Sequence, residues 1–255
     1  MSRKILAASS IAVYVFLYLP LLIVVAYSFN NSKLNAEWVG FTWHWYKVLL
    51  EDDAMLKAAG NSLFIALTAS FVSTVLGTMA GYALYRYKLK LLPVLVMAPL
   101  AIPEILVGVS LLIFYVSINL TLGLGSIILS HIAFCVGFVA IVVRSRLSGM
   151  DESLPEAARD LGATPWQAFR LVTLPLIMPG IVAGALLAFT LSIDDFVITF
   201  FTAGVGASTL PLQIYSMIKI AVTPEVNAIS TLLMLLTLFI IVVVSRISPD
   251  SIRGK

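Results

Sequence analysis

The sequence predicts an all-α protein built into a membrane as a polytopic bundle of six transmembrane helices. Three observations lead there. The chain is 60% hydrophobic and only 11% charged over 255 residues, against about 25% charged in an average soluble domain. Its apolar residues fall in six stretches, at about 7–29, 62–84, 92–118, 126–147, 176–202 and 226–247, each near or above the ~20 residues a helix needs to cross a bilayer core. Basic residues gather in alternate connections. The segments 1–6, 85–91, 144–175 and 246–255 hold Arg3, Lys4, Arg86, Lys88, Lys90, Arg144, Arg146, Arg159, Arg170, Arg246, Arg253 and Lys255, and the other connections hold only Lys33, Lys47, Lys57 and Lys219.

The first stretch follows Arg3 and Lys4 and runs to about Phe29. It is too long for a signal-peptide core and lacks a small-x-small cleavage site, so it is expected to remain as a membrane helix. The connection at 30–61 carries Trp38, Trp43, Trp45 and Tyr46. These suit an aromatic belt at the headgroup level or, alternatively, a contact surface for an external partner. The third and fifth stretches contain Pro99, Pro103, Pro179, Gly180 and Gly184, which allow tilt, a kink or a partly re-entrant path. The segment 203–225 reads as a loop followed by a short helix at Leu210-Pro211-Leu212-Gln213-Ile214-Tyr215. Cys135 is the single cysteine and lies in an apolar run, so it is expected to pack as a small hydrophobe. Because positive charge marks the cytoplasmic side, both termini and the 144–175 segment are placed in the cytoplasm, as an even number of spans requires.

The longest polar interruption of the second half is Pro155-Glu156-Ala157-Ala158-Arg159-Asp160-Leu161-Gly162-Ala163-Thr164-Pro165. Ser153-x-x-Glu156 and Thr164-x-x-Gln167 are both capping-box patterns. Pro165 suits a first helical position, and Gly162 suits the left-handed residue that closes a helix. Two short helices, at about 154–161 and 165–172, are therefore predicted outside the membrane.

Glu156-Ala157-Ala158, Gly162 six residues beyond the glutamate, and Leu174-Pro175 before the next span together resemble the cytoplasmic EAA signature of ATP-binding-cassette importer permeases. Further stretches carry the resemblance over nearly the whole chain: Ala83-Leu84-Tyr85-Arg86-Tyr87, Asp160-Leu161-Gly162-Ala163, Phe189 to Asp195, Leu210 to Met217 and Pro224-Glu225-Val226-Asn227-Ala228. Those after Asp194 look like the C-type permease subunits of spermidine/putrescine importers. The resemblance implies the type I importer permease (MetI-like) fold, a single permease domain over 1–255, and a bacterial inner membrane location. Glu156, Ala157, Ala158, Asp160, Leu161, Gly162 and Ala163, within a loop at 151–173, would dock on an ATPase and act as a rigid lever. The implied partners are a homodimeric ATP-binding subunit that carries ATP and Mg, a second, B-type permease, an external solute-binding protein and membrane lipids, with no nucleic acid. The chain has no Gly-x-x-x-x-Gly-Lys-Ser/Thr phosphate loop, so ATP hydrolysis is expected of a partner and no cofactor or metal of this chain.

Three acids fall inside the apolar stretches, Glu104, Asp194 and Asp195. A carboxylate at a helix centre costs about 2.5–3.5 kcal/mol on insertion scales, so these are expected to face the bundle interior or a water-filled path. Measured along straight helices from the basic side, Glu104 lies about 18 Å in and Asp194 about 24–27 Å in. Carboxylates in the middle and outer part of a path suit an organic cation, whose ammonium groups need replacements for lost water. They would equally serve structural hydrogen bonds or contacts to a partner permease. His131 is expected to bridge helices rather than bind a ligand. Two other functions fit less of the sequence: the same machinery carrying another cationic or small organic solute, and a membrane-embedded enzyme using Glu104, Asp194 and His131.

Overall fold

The computed structural model describes residues 3–33, 37–87 and 90–247, with side chains given as far as Phe239 and at Val242. Lys88, Arg253, Lys255 and the side chain of Arg246, which entered the charge argument, lie outside that set. Apart from one antiparallel bridge between Asn30 and Phe41, the regular structure of the described residues is helical, as the apolar periods require. Among the described residues four helices are long and apolar enough to cross a membrane, five with one bent pair, and a further apolar helix, α12 (Pro224–Ile247), corresponds to the sixth stretch. This is consistent with six spans. The chain divides into two units, Met1–Lys57 with Leu212–Phe239 and Ala58–Pro211 with Ile240–Lys255.

The first unit begins with α1 (Arg3–Tyr27), a 25-residue apolar helix none of whose residues is buried. The connection after it is an ordered knot. Asn30 is fully buried; its Nδ2 donates to the Glu37 carbonyl at 2.8 Å and its Oδ1 accepts from the Val39 N–H at 2.9 Å. The Trp45 indole N–H donates to the Asn30 carbonyl at 2.7 Å, and the ring of Phe29 lies 5.0 Å from Phe41 and 4.8 Å from Trp43. The four aromatics therefore divide. Trp45 packs inside while Trp38 and Trp43 stay exposed. Helix α2 (His44–Glu51), absent from the sequence expectation, forms because Trp45 and Leu49 recur at i and i+4 and bury one face. Helix α3 (Asp53–Arg86) starts well before its apolar stretch, since the Asp52 carboxylate accepts from the N–H groups of Ala54 and Met55 at 2.9 and 3.1 Å.

The second unit is organised around α6 (Leu124–Ser148), whose Phe134, Val139, Val143 and Leu147 pack with Ile177, Ala188 and Ile198. Small residues set the approach of its neighbours, as membrane interfaces favour. A Cβ on Gly77 of α3 would sit 2.5 Å from the Val139 Cβ, and one on Gly81 would sit 2.7 Å from the Ala140 carbonyl. On the other flank, Gly180 and Gly184 of α9 (Leu174–Ile193) face Arg146 and Val139 at 2.9 and 3.1 Å. Gly81→Val is expected to cost about 1–3 kcal/mol by overpacking and to lower the melting temperature of the detergent-purified complex. An unchanged melting temperature would contradict this packing.

The third apolar stretch is two helices, α4 (Leu91–Ala101) and α5 (Glu104–Ser117), bent by 110°. The break falls at Ile102-Pro103 and not at Pro99, which lies inside α4. Ile102 takes extended geometry (φ −91°, ψ 133°), the region a residue before proline is driven into. The straight-helix depth for Glu104 therefore fails, because the chain turns before reaching it.

The fifth stretch also differs. Its helix begins outside the apolar run with α8 (Pro165–Ala168), passes through a π turn at Phe169–Thr173 and continues as α9. The second short helix expected at 165–172 is thus the base of this longer one. Pro175 would normally clash with the carbonyl four residues back; the wider turn just before it relieves that crowding and carries the helix past it. After Ile193 the helix stops, and α10 (Val197–Thr202) follows a three-residue break. A loop then leads to α11 (Leu210–Ile220), matching the loop and short helix expected there.

Two ends of this unit are defined by contacts. At one, the Tyr85 hydroxyl near the end of α3 donates to Glu152 Oε1 at 2.7 Å, just before α7 (Ser153–Asp160). At the other, Asn61 Nδ2 donates to the Ser208 carbonyl at 2.8 Å and Ser126 Oγ to the Thr202 carbonyl at 2.7 Å. Arg86, Arg146, Arg159 and Arg170 all belong to the first end.

Candidate coupling element and acidic path

The polar segment between α6 and α9 folds by local chemistry. Helix α7 starts at Ser153, one residue earlier than expected. The Ser153 box does not form; Asp151 Oδ1 accepts from the Ser153 N–H at 2.9 Å instead. That bond holds the exposed Asp151 carboxyl below the usual range. At the far end of α7 the Ala163 N–H reaches the Ala158 carbonyl at 3.1 Å and the Gly162 N–H reaches the Arg159 carbonyl at 2.9 Å. These are the paired bonds of a Schellman motif, and Gly162 supplies its left-handed residue at φ +91°. The Thr164 box does form. Thr164 Oγ1 accepts from the Gln167 N–H at 3.3 Å, and the Thr164 N–H donates to Gln167 Oε1 at 2.8 Å.

This turn presents a surface. Glu156, Ala157, Asp160, Leu161 and Gly162 are exposed and Ala158 and Ala163 half-buried. Leu161 is 91% exposed, with Trp166 at 66% and Leu171 at 70%. Sequence reasoning missed Trp166 and Leu171. Their signal was an aromatic and a leucine in the charged segment between two apolar stretches. Behind that surface the element is tied down. Phe169 lies 5.7 Å from Trp166 and 5.3 Å from Tyr82 of α3, ring to ring, and Arg146 Nε donates to the Leu176 carbonyl at 3.2 Å.

At the opposite end of α9, about 30 Å away for 20 residues of helix, stand the three acids. Glu104 is the first residue of α5, directly after Pro103, and is exposed. Asp194 closes α9 and is exposed as well. Both stand at the same end of the unit, Glu104 opening α5 and Asp194 just ahead of α10. Their helices are brought together by α5 packing on α10, where a Cβ on Gly108 would sit 2.7 Å from the Phe201 ring. The rings of Phe196, Phe200 and Phe201 form a chain with centroids 5.6 and 5.3 Å apart, and Phe200 is half exposed.

Asp195 is placed differently. Its side chain is 6% exposed, and its carboxylate accepts from the N–H groups of Ile198 and Thr199 at 3.3 and 2.8 Å and from the Thr199 hydroxyl at 2.8 Å. These bonds explain the break after Ile193, since the carboxylate satisfies the first free donors of α10. His131 of α6 reaches the same group, with Nε2 3.2 Å from Asp195 Oδ2. The expected helix-bridging role of His131 is what the structure places there. Glu104 and Asp194 are thus both exposed at this end, while Asp195 turns inward. Among the described residues, no group of three or more His, Cys, Asp or Glu could hold a metal ion.

A bundle of apolar helices with a capped polar element at one end and exposed acids at the other is the architecture of a membrane permease. The chain belongs to the family of binding-protein-dependent transport system inner membrane components, whose model matches residues 73–252. It is a multi-pass inner-membrane permease subunit and not an enzyme. It is 40% identical over 247 residues to the spermidine/putrescine transport system permease protein PotC of Escherichia coli (strain K12), covering 96% of this chain and 94% of that one. It is 45% identical over 231 residues to the putrescine transport system permease protein PotI of the same organism, covering 87% and 82%. Among solved structures, a bacterial ABC transporter involved in the import of alginate superposes with a TM-score of 0.73 at 18% identity, covering 98% of this chain and 95% of that one, a likeness of fold alone. The inward-facing MetNI methionine ABC transporter superposes with a TM-score of 0.62 at 26% identity, covering 79% and 100%.

Proposed function

We propose that this chain is the C-type permease subunit of an ATP-driven polyamine importer. The observation that carries the substrate class is the two exposed carboxylates at this end, Glu104 and Asp194, with the half-exposed ring of Phe200 on the adjoining α10. An ammonium group leaving water needs charge-assisted acceptors and aromatic faces, and a spaced pair of acids matches a cation with more than one amine. The names of the two curated relatives support the same class. Asp195, the third acid expected of the path, is buried against His131 and supports Asp194 from behind. The same arrangement would admit another small organic cation, and competition by non-polyamine solutes in uptake assays separates the two.

The drive comes from a separate ATPase. The exposed surface of Glu156, Ala157, Ala158, Asp160, Leu161, Gly162 and Ala163 docks on a homodimeric ATP-binding subunit that holds ATP and Mg. Closure of that dimer moves the 151–173 loop as a lever, alternating access to the path. A second, B-type permease completes the channel, and an external binding protein delivers solute to the acidic end. Both termini and the lever lie in the cytoplasm, in keeping with the basic residues gathered at the lever's end.

Cysteine cross-linking tests the coupling half of this proposal. The one native cysteine, Cys135, is buried, so background is low. Cysteines introduced at Ala157 and Leu161 are expected to cross-link to the ATPase in membranes, with a yield that changes between nucleotide-free and ATP-trapped complexes. No cross-link to an ATPase from either position would contradict it.

A further inference from the structure

We infer that Asp195 and His131 are positioning residues. Together with Ser192 and Thr199 they form a buried latch that fixes the break between α9 and α10 and so aims Asp194 into the open. What Asp194 then does rests on the polyamine reading above; the latch itself does not.

The latch spans the break. His131 Nδ1 lies 2.7 Å from Ser192 Oγ, in the last turn of α9, and Nε2 lies 2.9 Å from Thr199 Oγ1, in α10. One rigid ring on α6 therefore holds both helix ends that flank residues 194–196. His131, Ser192 and Thr199 are each at most 5% exposed.

Counting hydrogens fixes the direction of the chain. The Thr199 hydroxyl has one hydrogen and donates it to Asp195 Oδ2, so toward His131 it accepts, and Nε2 carries the proton. Nδ1 faces the Ser192 hydroxyl, which can donate to it or accept from it. That carboxylate is occupied by two backbone N–H groups, one hydroxyl and the imidazole. An ammonium could reach it only by dismantling the break. Asp194 makes no hydrogen bond to another side chain among the described residues, and its backbone (φ −102°, ψ 1°) is held by the latch on either side. Adjacent acids thus have separate duties, one presented and one buried to present it. The other titratable group close by is Cys135, one turn along α6 from His131, whose thiol faces the Ala188 carbonyl at 3.6 Å.

The experiment uses the whole importer complex in lipid nanodiscs, with Cys135→Ala and Asp194→Cys in this chain. A cationic methanethiosulfonate reagent is expected to modify the introduced thiol readily. Adding His131→Leu or Asp195→Asn should slow that modification fivefold or more, and His131→Gln, which keeps a donor and an acceptor, should restore at least half the rate. An unchanged rate in both His131→Leu and Asp195→Asn overturns the latch. A second measurement needs no disruptive variant. The chain has two histidines, His44 and His131, so ¹⁵N spectra of the histidine-labelled complex resolve His131 against the His131→Gln spectrum. Hydrogen on Nε2 is expected; a ring with Nε2 bare overturns the assignment. In the otherwise native chain Asp194→Asn should lower spermidine uptake; unchanged uptake would sink the polyamine path and leave the latch standing.

Discussion

Replacing Gly162 with valine is expected to uncouple ATP hydrolysis from transport, cutting uptake about tenfold or more while the ATPase keeps turning over. The cause is backbone geometry and not crowding. Gly162 sits at φ +91°, and a Cβ built there meets nothing within 4 Å. A β-branched residue would still be forced into a region that costs about 1–3 kcal/mol. The chain can avoid that cost by leaving the left-handed conformation, which breaks both Schellman bonds, from Ala163 to Ala158 and from Gly162 to Arg159. The angle between α7 and α8 is then no longer set, and a push on α7 is absorbed instead of passing into α9. About 1.4 kcal/mol of lost rigidity is a factor of ten in the populated geometry. Gly162→Asn provides the control, because asparagine tolerates the left-handed region and should retain most of the coupling. ATP hydrolysis and uptake measured in the same proteoliposomes decide the matter. Normal coupling in the valine variant would remove the rigid turn from the mechanism.

The second large effect is expected at the acidic end. Asp194→Asn should lower polyamine uptake about tenfold to a hundredfold, from the ~1.5–3 kcal/mol of a hydrogen bond to a charged group. Assembly and basal ATP hydrolysis should persist, since Asp194 is exposed and closes a helix without bonding another side chain. Asp195→Asn should behave differently. It strips charge from a buried, fully bonded group and should reduce the yield of assembled complex, by an amount between the ~0.6–1.7 kcal/mol typical of hydrogen bonds in membrane bundles and the ~3–5 kcal/mol of a broken buried ion pair. Gel-filtration yield, nucleotide turnover and labelled-spermidine uptake, read side by side, separate the two acids. Equal loss of uptake at equal yield in both variants would contradict the division.

The helices were legible because their signal is local. A 20-residue apolar run specifies a span wherever it packs, and the Thr164 box and the Gly162 turn depend on residues within five positions of each other. The breaks were less legible. Pro99 and Pro103 look alike in the sequence, yet only the latter ends a helix; what distinguishes them is the extended residue Ile102 and the packing of α5 on α10 through Gly108 and Phe201. The gap after Ile193 was hidden because two acids barely dent the hydropathy of a long apolar stretch. The division of labour between them depends on His131, whose partners Ser192 and Thr199 lie 61 and 68 positions away. Asp151 displaced Ser153 as the capping group because it stands two residues ahead of the first free N–H, a competition that the Ser-x-x-Glu pattern does not register.

Reconstituted transport tests the central claim most directly. With the ATPase, the second permease and the external binding protein in proteoliposomes, labelled spermidine or putrescine should enter only with ATP and binding protein present. Entry should be blocked by excess unlabelled polyamine but not by neutral solutes of similar size. Uptake that ignores polyamine competition, or proceeds equally without ATP, would contradict a polyamine permease driven through the Glu156–Gly162 lever.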